Sequence, residues 1–437
     1  RQLAALLRFG TRLSDAVCRR EADEFAVILP ETALTNAVTV AEKLRRAVAD
    51  FSFTGGEEQP LGQVTISVGC AGLDDATGDL IAAALILAYL SVYINPSATA
   101  IPSLFGLAYP YIVAANIVMA LIWVVFRKWY GLISLFLIAI GFGHLHNFIR
   151  FTNHGSEEHH DLKVISYNIR LFNFYEESQR DSYRKMLQLL RKEEPGIICL
   201  QEYFVKGSPW AGEQKLKEGL GGRLHTHIKL IKSGASSHYG IATISRYPIV
   251  RRGDIVHPGS SSLTIFTDIV VDADTFRIYN NHLQSFRLRR VEGNLLTEIT
   301  GEVQEGSMSN VREIYKSLLN GFASRSLQAD RVKQHITTSP YPVIVAGDFN
   351  DTPVSYTYRK MRRGLRDAFV EAGYGAGFTY RGKYPPNRID YILYNEEIEC
   401  NDFDIVKVRY SDHYPIIAYF RRADRKAASS GQHSPRK

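Results

Sequence analysis

The chain has 437 residues, enough as a prior for two to four domains, and its 45% apolar and 11% aromatic content excludes a wholly disordered polypeptide. A net charge of +7 mildly favours anionic partners such as nucleic acid or lipid head groups. The four cysteines, Cys18, Cys70, Cys199 and Cys400, form no Cys-x-x-Cys pair and no cluster with histidine, which excludes a metal site of that kind. Cys199, inside the apolar run "GIICL", reads as a buried structural thiol. The chain begins with Arg1 rather than Met and reads as a fragment with no signal peptide at its start.

In chain order, residues 1–76 mix patterns. "TNAVTVAEKLRRAVADF" has helical apolar spacing, and "QVTISVGCAG" reads as a strand closed by glycines. From Leu80 to Phe126 there is no Asp, Glu, Lys, Arg or His, and Gly131 to Ile149 adds only His144 and His146. Three apolar helices are predicted, at about 80–96, 104–126 and 131–149. A bilayer core takes roughly 20 residues to cross, so the second is long enough and the first is short. Helices of soluble domains keep a polar stripe, and these do not. Arg127 and Lys128 fill the tight connection between the second and third runs and mark the cytoplasmic side. The prediction is a multi-pass membrane protein with everything after Phe151 outside the cytoplasm.

Residues 160–421 alternate apolar strands with polar helices, which predicts an α/β sandwich. The strand candidates are "KVISYNIRLF", "GIICLQEY", "YGIATISRYPIV", "TIFTDIVVDA", "FRIYNNHL", "PVIVAGDFND", "RIDYILY" and "YPIIAYF". "DSYRKMLQLLRKEE" and "VREIYKSLLNGFASRSLQADRVKQHI" are helical. The basic tail at 422–437 reads as disordered.

Polar residues recur at the ends of these strands: Asn168, Glu202, His282, Asp348, Asn350, Asp390, Asp412 and His413. One such residue usually caps a turn. Six strand ends carrying them point instead to a site. Carboxylates without Cys suit a hard cation, Mg²⁺ or Mn²⁺. A His beside an Asp suits acid–base work near neutral pH. Asn can hold a phosphate oxygen without repelling it. Together they imply metal-assisted attack of water on phosphorus. Period-two alternation predicts that Asp348 and Asn350 leave their strand on one face.

"SYNIR", "LQE", "NNHL", "GDFND", "RIDYI" and "SDHYPI", in that order over about 160–421, resemble the endonuclease/exonuclease/phosphatase superfamily, whose fold is that of deoxyribonuclease I. The resemblance implies two packed sheets flanked by helices. It implies that Glu202, Asp412 and Asn168 serve the metal, and that Asn168, Arg170 and Asn350 contact substrate. His413 would be the general base or a phosphate-binding His, oriented by Asp390. Asp348 and Asn350 would position water and phosphate, and His282 would protonate the leaving oxygen. Here "SSHYGIA" lacks the Glu that partners the equivalent His in deoxyribonuclease I. The expected activity is that of a membrane-anchored, Mg²⁺-dependent phosphodiesterase or endonuclease. The alternatives are a sphingomyelinase-like lipid phosphodiesterase and a non-catalytic membrane signalling protein binding cyclic di-GMP.

"RREADEFAVILPET", "AEKLRRAVA" and "VTISVGCAG" resemble the second half of a GGDEF domain, the cyclic di-GMP synthase fold. Glu21 and Ala22 stand where two glycines let the backbone approach GTP, and the half with the metal-binding Asp is absent. No cyclase activity is expected. "RLSD", Arg12 to Asp15, has the spacing of that family's inhibitory cyclic di-GMP site. Binding there is not expected from half a domain, and the segment reads as a relic or fused remnant.

Overall fold

The structure is a computed structural model that describes residues 2–19, 24–30, 32–54, 64–70, 75–126, 131–151, 160–174, 179–233, 235–286, 307–382 and 385–422. The chain divides into two compact units, 1–81 and 82–437.

The first unit holds α1 (Gln2–Phe9), an antiparallel ribbon of β1 (Ala16–Arg19) and β2 (Phe25–Ile28), and α2 (Leu34–Asp50). Leu7, Leu44 and Val48 form its small core. The strand expected in "QVTISVGCAG" is not formed: Val64–Cys70 carry no ladder. A strand needs a partner, and the described part of this unit supplies only a two-stranded ribbon. Glu21 and Ala22 lie outside the described residues. Asp15 is buried and accepts the Arg12 backbone N–H at 2.7 Å, so the "RLSD" carboxylate closes its own turn.

The apolar region folds differently from the three expected spans. It forms α3 (Asp75–Leu90), α4 (Ile101–Leu107), α5 (Tyr109–Val125), α6 (Gly131–Ile140) and α7 (Phe142–His146), then a short β3 (Ile149–Arg150). The stretch 104–126 is not one helix: α4 and α5 meet at 71°, with a proline in the first turn of each. Among the described residues no single helix is long and apolar enough to cross a membrane, although the bent pair is by length and composition. Arg127 and Lys128 are outside the described residues.

The rest of this unit is an α/β sandwich. In chain order it runs β4 (Leu162–Asn168), α8 (Gln179–Lys192), β5 (Ile197–Lys206), α9 (Pro209–Leu220), β6 (His225–Lys232), β7 (Ser237–Ser245), β8 (Ile249–Ile255), β9 (Leu263–Val271) and β10 (Asp274–His282). It continues with α10 (Ser307–Ile336), β11 (Val343–Asp348), α11 (Tyr356–Arg362), β12 (Arg366–Asp367), α12 (Ala368–Ala372), β13 (Gly375–Ala376), β14 (Asp390–Tyr394), β15 (Ile398–Ile405) and β16 (Ile416–Arg422). Arg422, assigned to the tail, closes β16, and 423–437 lie outside the described residues. One sheet has the order β15-β16-β4-β5-β7-β6, the other β12-β14-β11-β10-β9-β8. Both are mixed: β4 and β5 run parallel, as do β10 and β11, amid antiparallel neighbours.

The strands read as unbroken apolar runs because both faces are covered. Val164, Ile197 and Cys199 meet Ile278, Ile344, Ala346 and Ile392 between the sheets. The alternate residues Ile165, Tyr167 and Leu200 pack under α8 and α9, and Val343 and Val345 pack under α10 and α11.

The apolar helices are built into this sandwich. Ser91 Oγ donates to the Val354 carbonyl at 2.8 Å, and Thr352 Oγ1 donates to Gly106 O at 3.0 Å. Gly106 must be glycine, since a Cβ there would sit 2.2 Å from Val354 O. β3 pairs with β13, and Arg388 Nη1 donates to Asn147 O at 2.8 Å.

Candidate active site

The inward-facing positions of three strands continue past the apolar core and end in polar groups. Val164, Ser166 and Asn168 share one face of β4; Ile278, Asn280 and His282 share one of β10; Ile344, Ala346 and Asp348 share one of β11. Register then aligns three strand ends in a row, because His282 pairs with Asp348 and Asp348 pairs with Asp390. Gly347 permits this: its φ is 135°, and a Cβ would lie 2.1 Å from Asn281 O of the neighbouring strand. From the facing sheet, Asn168 Nδ2 donates to Asp348 Oδ2 at 2.9 Å and lies 3.4 Å from Glu202 Oε1.

Glu202 reaches this point through a local distortion. The β5–β7 ladder shifts register between Leu200 and Tyr203, and Glu202 takes a left-handed φ of 52°. A bulge of this kind re-aims a side chain, at a cost on the order of 1–3 kcal/mol for the strained residue. His282 Nε2 lies 3.8 Å from Glu202 Oε1 and 4.0 Å from Asp348 Oδ2, buried without a hydrogen-bond partner. Two acids from other strands, Glu202 and Asp348, thus stand near His282 without hydrogen-bonding it.

His413 is buried. Its Nδ1 donates to Asp390 Oδ2 at 2.9 Å and Oδ1 at 3.1 Å, and its Nε2 lies 3.8 Å from Asp348 Oδ2. Burial alone pulls His413 down, but Asp390 and Asp348 outweigh it and hold the group up at about 10. It is therefore an imidazolium at neutral pH and is not poised to accept a proton there. Burial pushes Asp348 up, His413 and His282 oppose that, and the carboxyl settles at about 6. Of the two roles expected for His413, this favours phosphate binding over general base, and Asp348 is the group tuned near neutral.

Asn350 departs from the period-two expectation. The strand ends at Asp348, and Asn350 has φ 53°. Its backbone N–H donates to Asp348 Oδ1 at 2.8 Å, while its side-chain amide donates to Leu283 O at 3.0 Å. It therefore fixes the Asp348 carboxylate through the backbone. Asp412 lies 3.3 Å from Arg170 Nε, and Ser411 Oγ binds that loop to Asn168 O at 2.9 Å.

Two groups could hold a cation. Asp348, Asp390 and His413 offer ligand atoms within 4.8 Å of one another. That cluster would have to give up the proton His413 shares with Asp390. Glu202 and Asp412 are oxygen donors of the kind hard cations take, and the Glu202 side chain is 25% exposed to water; Asn168 turns its amide N–H to Glu202 while its oxygen accepts the Arg170 N–H at 3.0 Å.

The sequence reading missed supporting residues. Asn280 crosses between the sheets, accepting Gln201 Nε2 at 2.7 Å and donating to Ala242 O at 3.0 Å. Thr379 Oγ1 accepts the N–H of Asp390 at 3.1 Å, and the Tyr380 ring lies 5.3 Å from that of His413. The doubled Asn in "NNHL" was the available signal for the first; the Tyr380 and Thr379 loop carries none.

A family model described as the Endonuclease/Exonuclease/phosphatase family matches residues 165–413. The chain belongs to that family. Residues 1–90 match the model of the diguanylate cyclase GGDEF domain, and 80–148 that of a domain of unknown function, DUF8431. Response regulator PleD of Caulobacter vibrioides is 39% identical over 69 residues, 16% of this chain and 15% of that protein. The chain thus spans about 15% of the length of the curated relatives it matches. Similar solved structures include an endonuclease/exonuclease/phosphatase family protein from Leptotrichia buccalis C-1013-b, 17% identical with a TM-score of 0.43 over 60% of this chain and 99% of that one. Another, from Bacteroides vulgatus, has the same identity, TM-score and coverage. Humanized D. rerio TDP2 is 17% identical with a TM-score of 0.44, over 60% and 98%.

Proposed function

We propose that this chain is a divalent-metal-dependent phosphoester hydrolase using water as nucleophile. The observation that carries the reading is the row of His282, Asp348 and Asp390 facing Asn168, Glu202 and His413 across the two sheets. Asp348, at about 6, accepts a proton from the attacking water and is steered by Asn168 and the Asn350 backbone. His413, charged and held by Asp390, binds a phosphoryl oxygen. His282 has an unpartnered ring nitrogen to offer the leaving oxygen. Arg170 adds a further cation at the rim beside Asp412. Glu202, Asp412 and Asn168 would hold Mg²⁺ or Mn²⁺, which supplies Lewis-acid stabilisation when bound.

For substrate, a phospholipid is favoured over nucleic acid by one observation. The apolar helices pack on Thr352 and Val354, two and four residues past Asn350, and present many exposed apolar side chains, among them Leu121, Val125 and Phe136. A bilayer beside the site is the natural cover for them. A multi-pass topology with the catalytic domain outside the cytoplasm belongs to the same proposal, and a reporter fused after Lys437 tests it.

The deciding experiment gives the detergent-purified full chain Mg²⁺ with phospholipid vesicles, plasmid DNA and RNA. Phosphoester cleavage lost in chelator and restored by Mg²⁺ or Mn²⁺ is expected, with Glu202→Gln needing far more metal. Undiminished activity in EDTA would sink the mechanism, and cleavage of nucleic acid alone would remove the lipid.

A further inference from the structure

Positive charge gathers where the apolar helices meet the sandwich. A cavity of about 720 Å³ lies between them. One wall is Val92, Tyr93, His144 and Asn147. The other carries four cations in five residues, Arg359, Lys360, Arg362 and Arg363, and no carboxylate lines the cavity among the described residues. Lys360 is neutralised by Asp330 at 2.7 Å, and Arg362 donates to Asn147 Oδ1 at 2.9 Å. Arg359 lies over the Tyr93 ring at 4.5 Å, and neither it nor Arg363 has a carboxylate partner among the described residues. An adjoining cavity of about 650 Å³ shares Lys360 and Arg363 and adds Lys333, with Asp330, the partner of Lys360, also on its lining. Lys333 is pushed down by burial and next by Arg363 and Lys360, as expected where positive potential is in excess.

Unpaired guanidinium groups in a concave site without carboxylates select a phosphate. The opposite wall selects its source. Val92 and Tyr93 follow directly on α3, whose Ile86 and Leu90 are exposed apolar side chains. Cations at the end of apolar helices stand at the depth where head groups lie when such helices meet a bilayer. We propose that this cavity binds the phosphate head group of an anionic phospholipid, distinct from the active site. The proposal rests on the reading that the apolar helices meet a bilayer.

The test uses the full chain in detergent, with chelator present so that hydrolysis cannot consume the ligand. Binding of a short-chain phosphatidylglycerol, a short-chain phosphatidylcholine and inorganic phosphate is followed by calorimetry. Phosphatidylglycerol is expected to bind in preference to both others. Arg359→Gln with Arg363→Gln should weaken it by about 25-fold, at about 5-fold for each cation near a membrane surface. Arg359→Lys with Arg363→Lys keeps the charge but loses the planar fork, and should bind more tightly than the glutamine pair and more weakly than the parent. Both side chains are exposed, so the fold should tolerate the change; a melting curve without lipid checks this, and Arg363→Gln alone carries the test if the double variant fails to fold. Equal binding of phosphatidylcholine, or affinity unmoved in the glutamine variants, overturns the site. Inorganic phosphate binding as tightly as the lipid overturns the lipid and leaves a free-phosphate site. Failure of the membrane reading is seen separately, as full chain that stays in solution without detergent.

Discussion

Asp390→Asn is the sharpest perturbation of the site, because it removes one charge and keeps the shape. In the parent, His413 sits at about 10 against an ordinary 6.5. At 1.36 kcal/mol per unit, that is about 5 kcal/mol of preference for imidazolium in the folded state. Burial opposes this preference, and Asp390 is the largest of the groups that create it, through its charge and its hydrogen bond. Without the carboxylate, burial is left against Asp348 and Asp412, and His413 should titrate near or below neutrality. The amide can still accept the Nδ1 proton, so the ring keeps its place. The activity then loses its cation over the upper range. The rate at pH 8 should fall on the order of 10²–10⁴, and the alkaline limb of the pH–rate profile should move from about 10 to neutral or lower.

Stability follows the same linkage. A histidine raised in the folded state contributes stability that is complete below its unfolded pKa, near 6.5, and is lost as pH rises through about 10. The parent should therefore lose stability between pH 7 and 10, and Asp390→Asn should show a flatter profile there. Nuclear magnetic resonance of ¹³C-labelled histidine reads the titration directly, alongside turnover. An alkaline limb unmoved by the substitution, or a neutral His413 in the parent at pH 8, would refute the reasoning.

Two further outcomes follow from packing. Asn280→Leu should remove the 2.7 Å bond from Gln201 Nε2, leaving that amide its longer contacts to Ser166 Oγ at 3.3 Å and Cys199 O at 3.2 Å, and should take a donor away from Ala242 O between the sheets. The cost is on the order of 3 kcal/mol, or roughly 5–10 °C in Tm, and a thermal melt unchanged by the substitution would show the tie to be idle. Removing residues before Asp161 should do more than release an anchor, because Arg388 and Arg362 lose Asn147, and buried Val354 loses its cover. The shortened chain should melt lower and turn over more slowly than the full chain; equal stability and rate would show the helices to be detachable.

What the sequence made legible was the part governed by local alternation. Runs such as "VIVAGD" announce strands, and each carries its polar residue to the strand end, so Asn168, Glu202, His282, Asp348, Asp390 and His413 could be picked out before their distances were known. Relations between strands were not legible. The pairing of His282 with Asp348 and Asp390 depends on register. The Glu202 bulge depends on a register shift with β7. The choice between the two roles open to His413, and the tuning of Asp348, depend on burial and on charges that only the folded chain brings together.

The apolar region shows the same limit from the other side. Hydropathy reports that a segment avoids water, and lipid and protein satisfy it equally well. The small and polar residues inside the runs carried the missing information. Pro110, in the first turn of α5, marks the point where the second run breaks into two helices at 71°. Ser91 and Gly106 are small because the Val354 backbone comes against them. Asn147 ends the third run by accepting Arg362 and Arg388 from the sandwich. A stretch composed only for lipid has no need of such groups. Their presence makes these helices a wall of the catalytic unit with their remaining apolar faces turned outward, so a bilayer meeting those faces would lie beside the loop that carries Asn350.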